Sequence, residues 1–175
     1  RGGTRRAGAG EGREAAYQRG GVITDGLAGE HQADAMQVVM IGLGEEKFAL
    51  DAGLVREIID PVPVTKVAGA RAFVPSVINV RGNVIPLADL RIRFGMPQLD
   101  DSADTRIVVI ELELDGEPVL VGVTADKVYE VTEISQTDVQ QTPRVGMHWK
   151  PEFIRFIAKW REEFVIVPNM ERILN

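Results

Sequence analysis

From residue 36 onward the chain is built of short aliphatic and β-branched runs, broken about every 8–12 positions by Gly, Asn, Asp or Pro. This texture admits sandwiches and barrels. It disfavours a helical bundle, because the apolar residues alternate with period two or cluster in short blocks. Residues 37–43 and 47–50 flank Gly44-Glu45-Glu46, which predicts a hairpin. Residues 55–59 lead into Pro61 and Pro63, which confine that segment to an edge or an exit, since proline donates nothing to a ladder. Residues 77–80 and 84–87 flank Arg81-Gly82-Asn83, whose Gly and Asn are expected to supply the positive φ of a tight turn.

The second half repeats the pattern. Residues 106–114 and 118–124 are joined by Asp115-Gly116, one of the strongest short hairpin signals. Along Ile110-Glu111-Leu112-Glu113-Leu114 the alternation predicts one wet and one buried face. Further strands are expected at 128–134 and 164–167, with short helices at 89–94, capped by Asp89, and at 170–174. The polar stretch 97–104 separates the two strand-rich halves. The expected fold is all-β: two small barrels or one double barrel, with short helices, one at the C-terminus.

Residues 1–35 are rich in Gly, Ala, Arg and Glu and carry almost no large apolar side chains. Such a segment buries too little to offset its ordering entropy, so a flexible N-terminal tail is expected ahead of a folded domain at 36–175. Gly8-Ala9-Gly10-Glu11-Gly12 lacks the preceding strand and following Lys of a phosphate loop. The absence of cysteine removes disulfides and thiolate chemistry, and a net charge of −6 argues against a nucleic-acid partner. No apolar run approaches the roughly 20 residues of a membrane-spanning helix, so no membrane insertion and a cytoplasmic location are expected.

Catalysis needs converging titratable groups, and few are offered. His31 and His148 stand apart with no metal-binding spacing, and Asp100, Asp101 and Asp104 lack the ligand pattern of a calcium loop. Glu111, Glu113, Asp115 and Glu117 fit an exposed strand face, which also protects against mispairing. Ser76, Ser102 and Ser135 have no His nearby in sequence to activate them. The expectation is a non-enzyme with no cofactor and no metal.

The richest segment runs from Phe73 to Arg91 and contains Val77-Ile78-Asn79-Val80-Arg81-Gly82 followed by Val84-Ile85-Pro86-Leu87-Ala88-Asp89-Leu90-Arg91. It resembles the signature of the CheW family. Phe48-Ala49-Leu50-Asp51, then Val55-Arg56-Glu57-Ile58, is similar to the family's early strand pair and its Val-x-Glu-Ile element. Downstream, Val121-Gly122-Val123, Asp126-Lys127-Val128 and Val131 resemble its Gly-x-x-x-Asp-x-Val-x-x-Val pattern. The resemblance covers residues 36–175. It implies two intertwined five-stranded SH3-like β-barrels sharing a hydrophobic seam, and a chemotaxis adaptor that couples transmembrane chemoreceptors to the histidine kinase CheA. The implied partners are the receptor (methyl-accepting chemotaxis protein) cytoplasmic tip, the CheA regulatory domain and further CheW copies in array rings. The implied place is receptor arrays at the inner face of the cytoplasmic membrane.

By the same resemblance Arg81, Glu57, Val55, Gly82, Asn79 and Val84 form the receptor- and kinase-binding set. Arg81 and Glu57 are expected to pair across strands, since a guanidinium can fix a carboxylate in a planar geometry that lysine cannot. Val55 and Val84 either pack in the core or face a partner. Asn79 and Asp89 are expected to bond a turn and cap a helix. Phe153, Phe156 and Trp160 recur at roughly helical spacing and suggest a buried face. Ser76 stands where a Gly is usual in the family, Phe156 replaces a small residue, and Pro168-Asn169-Met170-Glu171 departs from the usual C-terminal pattern. The Ser76 departure bears on the backbone there and the receptor contact, whereas the other two fall in the second half and bear on the kinase-facing surface. Two alternatives remain: a regulatory module of a larger signalling protein, or a small-barrel module for oligonucleotides or oligosaccharides, which would need basic residues and stacking aromatics.

Overall fold

In the computed structural model the described residues are 35–140 and 150–175. The expectations for the tail, Gly8 to Gly12, His31 and His148 fall outside them. Twelve strands follow in the described chain: β1 (Ala35–Leu43), β2 (Glu46–Asp51), β3 (Val55–Ile59), β4 (Val64–Lys66), β5 (Ser76–Val80) and β6 (Asn83–Ala88) come first. After helix α1 (Leu90–Arg93) come β7 (Arg106–Leu114), β8 (Glu117–Ala125), β9 (Lys127–Ser135), β10 (Val139–Gln140), β11 (Ile154–Trp160) and β12 (Glu163–Pro168), then helix α2 (Met170–Leu174). The strands form two sheets, ordered β10-β11-β12-β2-β1-β9 and β3-β7-β8-β6-β5-β4.

The outermost strands of each sheet are neighbours in sequence. β3 and β4 are separated only by Asp60-Pro61-Val62-Pro63, and β9 and β10 only by the turn Gln136–Asp138. Each sheet is therefore a five-stranded SH3-like barrel in which one strand is broken in two. The breaks have local causes: the prolines cannot continue a ladder, and Asp138 turns the chain by accepting the backbone N–H of Ser135 at 3.1 Å. Barrel A holds β1, β2 and β9–β12, and barrel B holds β3–β8, so the chain begins in A, builds B and returns to A. Parallel pairs close the exchange, with Ile166 opposite Phe48 and Leu87 opposite Gly122. A Cβ at Gly122 would lie 3.1–3.2 Å from side-chain methyls of Ile78, Ile107 and Leu87, tighter than ordinary contact, so this position is closely packed around glycine.

Apolar residues segregate into three clusters. One fills barrel A around Met40, Ala49, Ala158 and Val165, and one fills barrel B around Ile78, Ile85, Ile107 and Val109. The largest lies between them, where Ile41, Phe48 and Ile166 meet Ile110, Val123 and Leu90. Phe48 stacks on Phe94 at 5.5 Å in this seam, and the Arg93 guanidinium lies over the rings of both Phe73 (4.3 Å) and Phe153 (4.8 Å). Among the described residues no helix is long and apolar enough to cross a membrane.

At one end of the seam sits a buried charge cluster. Arg91 donates Nε and Nη2 to Asp89, both at 3.0 Å, and Nη1 to Asp126 at 3.1 Å and to the Leu99 carbonyl at 3.0 Å. Asp126, the residue between β8 and β9, also accepts the Gly44 N–H from the β1–β2 turn at 2.6 Å. The Arg91 pKa is raised above its ordinary value, first by hydrogen bonding to Asp89, against the opposing effect of burial, and then by the charges of Asp89, Asp126 and Asp101. Asp89 caps α1 as expected, accepting the Arg91 N–H, and Asn169 caps α2 by accepting the Arg172 N–H.

Some local expectations need correction. In the Arg81-Gly82 turn the positive φ values belong to Arg81 (52°) and Gly82 (86°), not to Asn83, because Val80 pairs with Asn83 and leaves a two-residue loop. Phe156 and Trp160 lie on strand β11, not on a helix, and both pack on the barrel A cluster. A bulge between Ile154 and Phe156 adds a residue there and shifts the spacing away from simple alternation. Ser76 is buried as the first residue of β5.

Candidate functional site

The β5–β6 hairpin turns in two residues, and the Asn79 side chain accepts the Gly82 N–H at 2.9 Å to hold the loop. Its first loop residue is Arg81, left-handed at φ 52°, a conformation that costs an ordinary residue about 1–2 kcal/mol. Asp115-Gly116 makes the same turn (φ 52° and 81°) with a residue that tolerates it. Arg81 thus stands at the hairpin tip with its side chain in solvent. It is 81% exposed, with Nη2 2.9 Å from Oε2 of the partly buried Glu57 on β3.

Beside this pair lies a groove of about 260 Å³ at the mouth of barrel B, floored by Val80, Ile85, Val109 and Leu120. Asn83 and Ile85 line it, so Val84 between them faces the other way and is 67% exposed on the outer surface. Asn79 is paired with Val84 across the hairpin and is likewise exposed. Val55 packs against the seam cluster and is only partly buried. Of the six residues named from sequence, the structure brings Glu57 and Arg81 together at the groove, with Gly82 and Asn79 holding the turn that carries Arg81. Val84 and Val55 lie on two other surfaces.

Two groove residues escaped sequence reasoning. Arg56 and Glu111 form an ion pair in its wall. The strand pairing shifts register between Val55 and Glu57, so Arg56 sits at a β-bulge and its side chain reaches across to Glu111 on β7. The signal for Glu111 was present in the alternation of β7, but that pattern specifies only an outward face, not a partner. The carboxylates here serve ion pairs with arginines.

A rigid hairpin tip, an exposed guanidinium already oriented by a carboxylate, and an apolar groove beside it are suited to holding another protein. The comparisons agree with that chemistry. Residues 37–175 match the family model for the CheW-like domain. The chain is 27% identical over 158 residues to a Helicobacter pylori protein named chemotaxis protein CheW, covering 90% of this chain and 93% of the relative. A CheW of Rhizobium meliloti is 29% identical over 137 residues, covering 78% and 86%. The crystal structure of the scaffolding protein TtCheW from Thermoanaerobacter tengcongensis superposes with a TM-score of 0.69 at 30% identity, covering 79% of this chain and 91% of that one. With double barrel, signature hairpin and family model in agreement over residues 37–175, the chain belongs to the CheW-like domain family.

Proposed function

We propose that this protein is a chemotaxis scaffold that couples the cytoplasmic tip of a chemoreceptor to the regulatory domain of the histidine kinase CheA, with no catalysis of its own. The observation that carries the reading is Arg81: an arginine in a strained turn position, exposed at a hairpin tip and oriented by Glu57 beside an apolar groove. Local backbone preference does not account for it, since Asn or Asp would fit the turn better. Its side chain does, because a planar donor array at an exposed site is what a partner carboxylate or carbonyl binds.

In this reading the receptor meets the Arg81 face, while the kinase and further CheW-like copies use other surfaces of the barrels in the cytoplasm. Weak individual contacts suffice, because a lattice of linked sites raises effective concentration. Co-sedimentation of the purified chain with receptor cytoplasmic fragments and CheA tests it. Arg81→Glu is expected to abolish receptor coupling while cooperative unfolding is retained. Loss of cooperative unfolding in that variant would instead assign Arg81 a structural role, and failure of the wild-type chain to bind either partner would overturn the scaffold reading.

A further inference from the structure

The two barrels carry the same hairpin twice. Taken from opposite ends, the sheet orders β10-β11-β12-β2-β1-β9 and β4-β5-β6-β8-β7-β3 correspond element by element, and the parallel pairing of β12 with β2 matches that of β6 with β8. The β11–β12 hairpin therefore stands in barrel A where β5–β6 stands in barrel B. Trp160 pairs with Glu163 as Val80 pairs with Asn83, so both hairpins turn in two residues. Arg161 takes the place of Arg81, Glu162 that of Gly82 and Phe164 that of Val84. The ion pair recurs as well: Nη2 of Arg161 lies 2.7 Å from Oε1 of Glu130 on β9, the strand that corresponds to β3 with its Glu57.

The repeated tip differs in its second loop residue. Arg81 is followed by glycine, so the loop of barrel B presents a cation alone. In barrel A both loop residues are left-handed, Arg161 at φ 49° and Glu162 at φ 64°, and neither is glycine. No other turn among the described residues places two such side chains in that region, where Asn-Gly would sit without strain. The backbone gains nothing from Arg-Glu here, so the side chains account for it. They are adjacent, opposite in charge and exposed: Glu162 is 91% exposed with Lys159 3.6 Å away, and Arg161 lies over the Trp160 ring at 4.7 Å. Two residues further on, Phe164 is 65% exposed, more than any other aromatic among the described residues.

We propose that the β11–β12 tip is a self-complementary surface that pairs two copies of this chain about a two-fold axis. In such a contact each copy receives the same surface that it offers. A lone cation like Arg81 would meet itself and be repelled. Adjacent Arg161 and Glu162 instead pair reciprocally, each with the opposite charge on the second copy, and the contact covers both Phe164 rings. Glu130 orients Arg161 for this as Glu57 orients Arg81. Two hairpin tips bury far less than a permanent dimer requires, so the pairing is weak, salt-sensitive and effective where copies are concentrated. A two-fold contact closes on itself and gives dimers, not filaments.

Sedimentation equilibrium of the purified full chain over a concentration series tests it. The wild-type mass is expected to rise from monomer to dimer and no further, with a midpoint that moves to higher concentration as salt is added. Arg161→Glu alone, or Glu162→Arg alone, sets like charges across the axis and is expected to raise the midpoint by about tenfold or more. The two changes together restore opposite charges and are expected to return it to within about threefold of wild type. Arg161→Asn with Glu162→Gly suits the turn, so it is expected to melt at a higher temperature while losing the dimer, and it keeps the test decisive if a reversal beside Glu130 disturbs folding. A wild-type chain that stays monomeric at about millimolar concentration overturns the dimer. So does an Asn-Gly variant that dimerises like wild type, a double swap as defective as either single change, or growth beyond the dimer. Receptor binding at Arg81 is expected to be unchanged in the Asn-Gly variant, and a failed dimer leaves the scaffold reading standing.

Discussion

Two arginines ten residues apart in one sequence motif, Arg81 and Arg91, do opposite work. Both are paired with carboxylates. Arg81 meets Glu57 at the surface, with its side chain 81% exposed. Arg91 is buried to 7% exposure, and its guanidinium spans Asp89, Asp126 and the Leu99 carbonyl. Through them it joins α1, the segment before β7, the passage from β8 to β9 and, by way of Asp126, the β1–β2 turn. The lesson is that an arginine–carboxylate pair has no fixed meaning. A buried pair organises the fold because neither charge can be left alone, whereas an exposed one contributes little to stability and is free for a partner.

The contrast is sharpest under substitution. Arg91→Met is expected to cost about 3–5 kcal/mol in urea unfolding, since it strands two partly buried carboxylates; a loss under about 1 kcal/mol would erase the distinction between the two sites. Arg81→Glu is expected to cost about 2 kcal/mol or more in receptor affinity, read by titration calorimetry, with the urea midpoint nearly unmoved. Asp126→Asn keeps an acceptor for Gly44 and Arg91 but removes a charge, so a loss of about 1–2 kcal/mol in stability is expected, with receptor affinity unaltered. Smallest and most telling is Arg81→Asn. By suiting the left-handed turn it should stabilise the fold by about 1 kcal/mol in thermal melts while receptor coupling is lost. Destabilisation instead would place Arg81 among the structural residues.

What could be read from the sequence was local. Asp115-Gly116, the Asp89 cap and the helix at Met170–Leu174 are each written in adjacent residues, and the structure has them there. Two barrels or a double barrel were legible in the strand texture, but the intertwining needed the resemblance, because strand exchange between barrels leaves no local trace. β11 was missed since its bulge hides the period-two pattern, and β4 and β10 are too short to show one. The Arg91–Asp126 bond links residues 35 positions apart, so the motif named Arg91 without revealing what it holds. At the candidate site the Arg81–Glu57 contact was anticipated and is present. The Arg56–Glu111 wall was not, because only a bulge turns Arg56 toward β7.

The exchange of strands also dictates an order of events when the chain is made. Phe48 in β2 pairs with Ile166, 118 residues later (166 − 48), whereas every strand of barrel B has been synthesised by Ala125. At ordinary translation rates β2 waits roughly 6–24 s for this partner, of which only roughly 2–8 s (166 − 125 residues) follow the synthesis of Ala125. Barrel B thus has time to mature on the ribosome while the hairpin of β1 and β2 stands without its β12 neighbour. The nascent chain carries an open sheet edge through this interval, and only the last strand to emerge covers it.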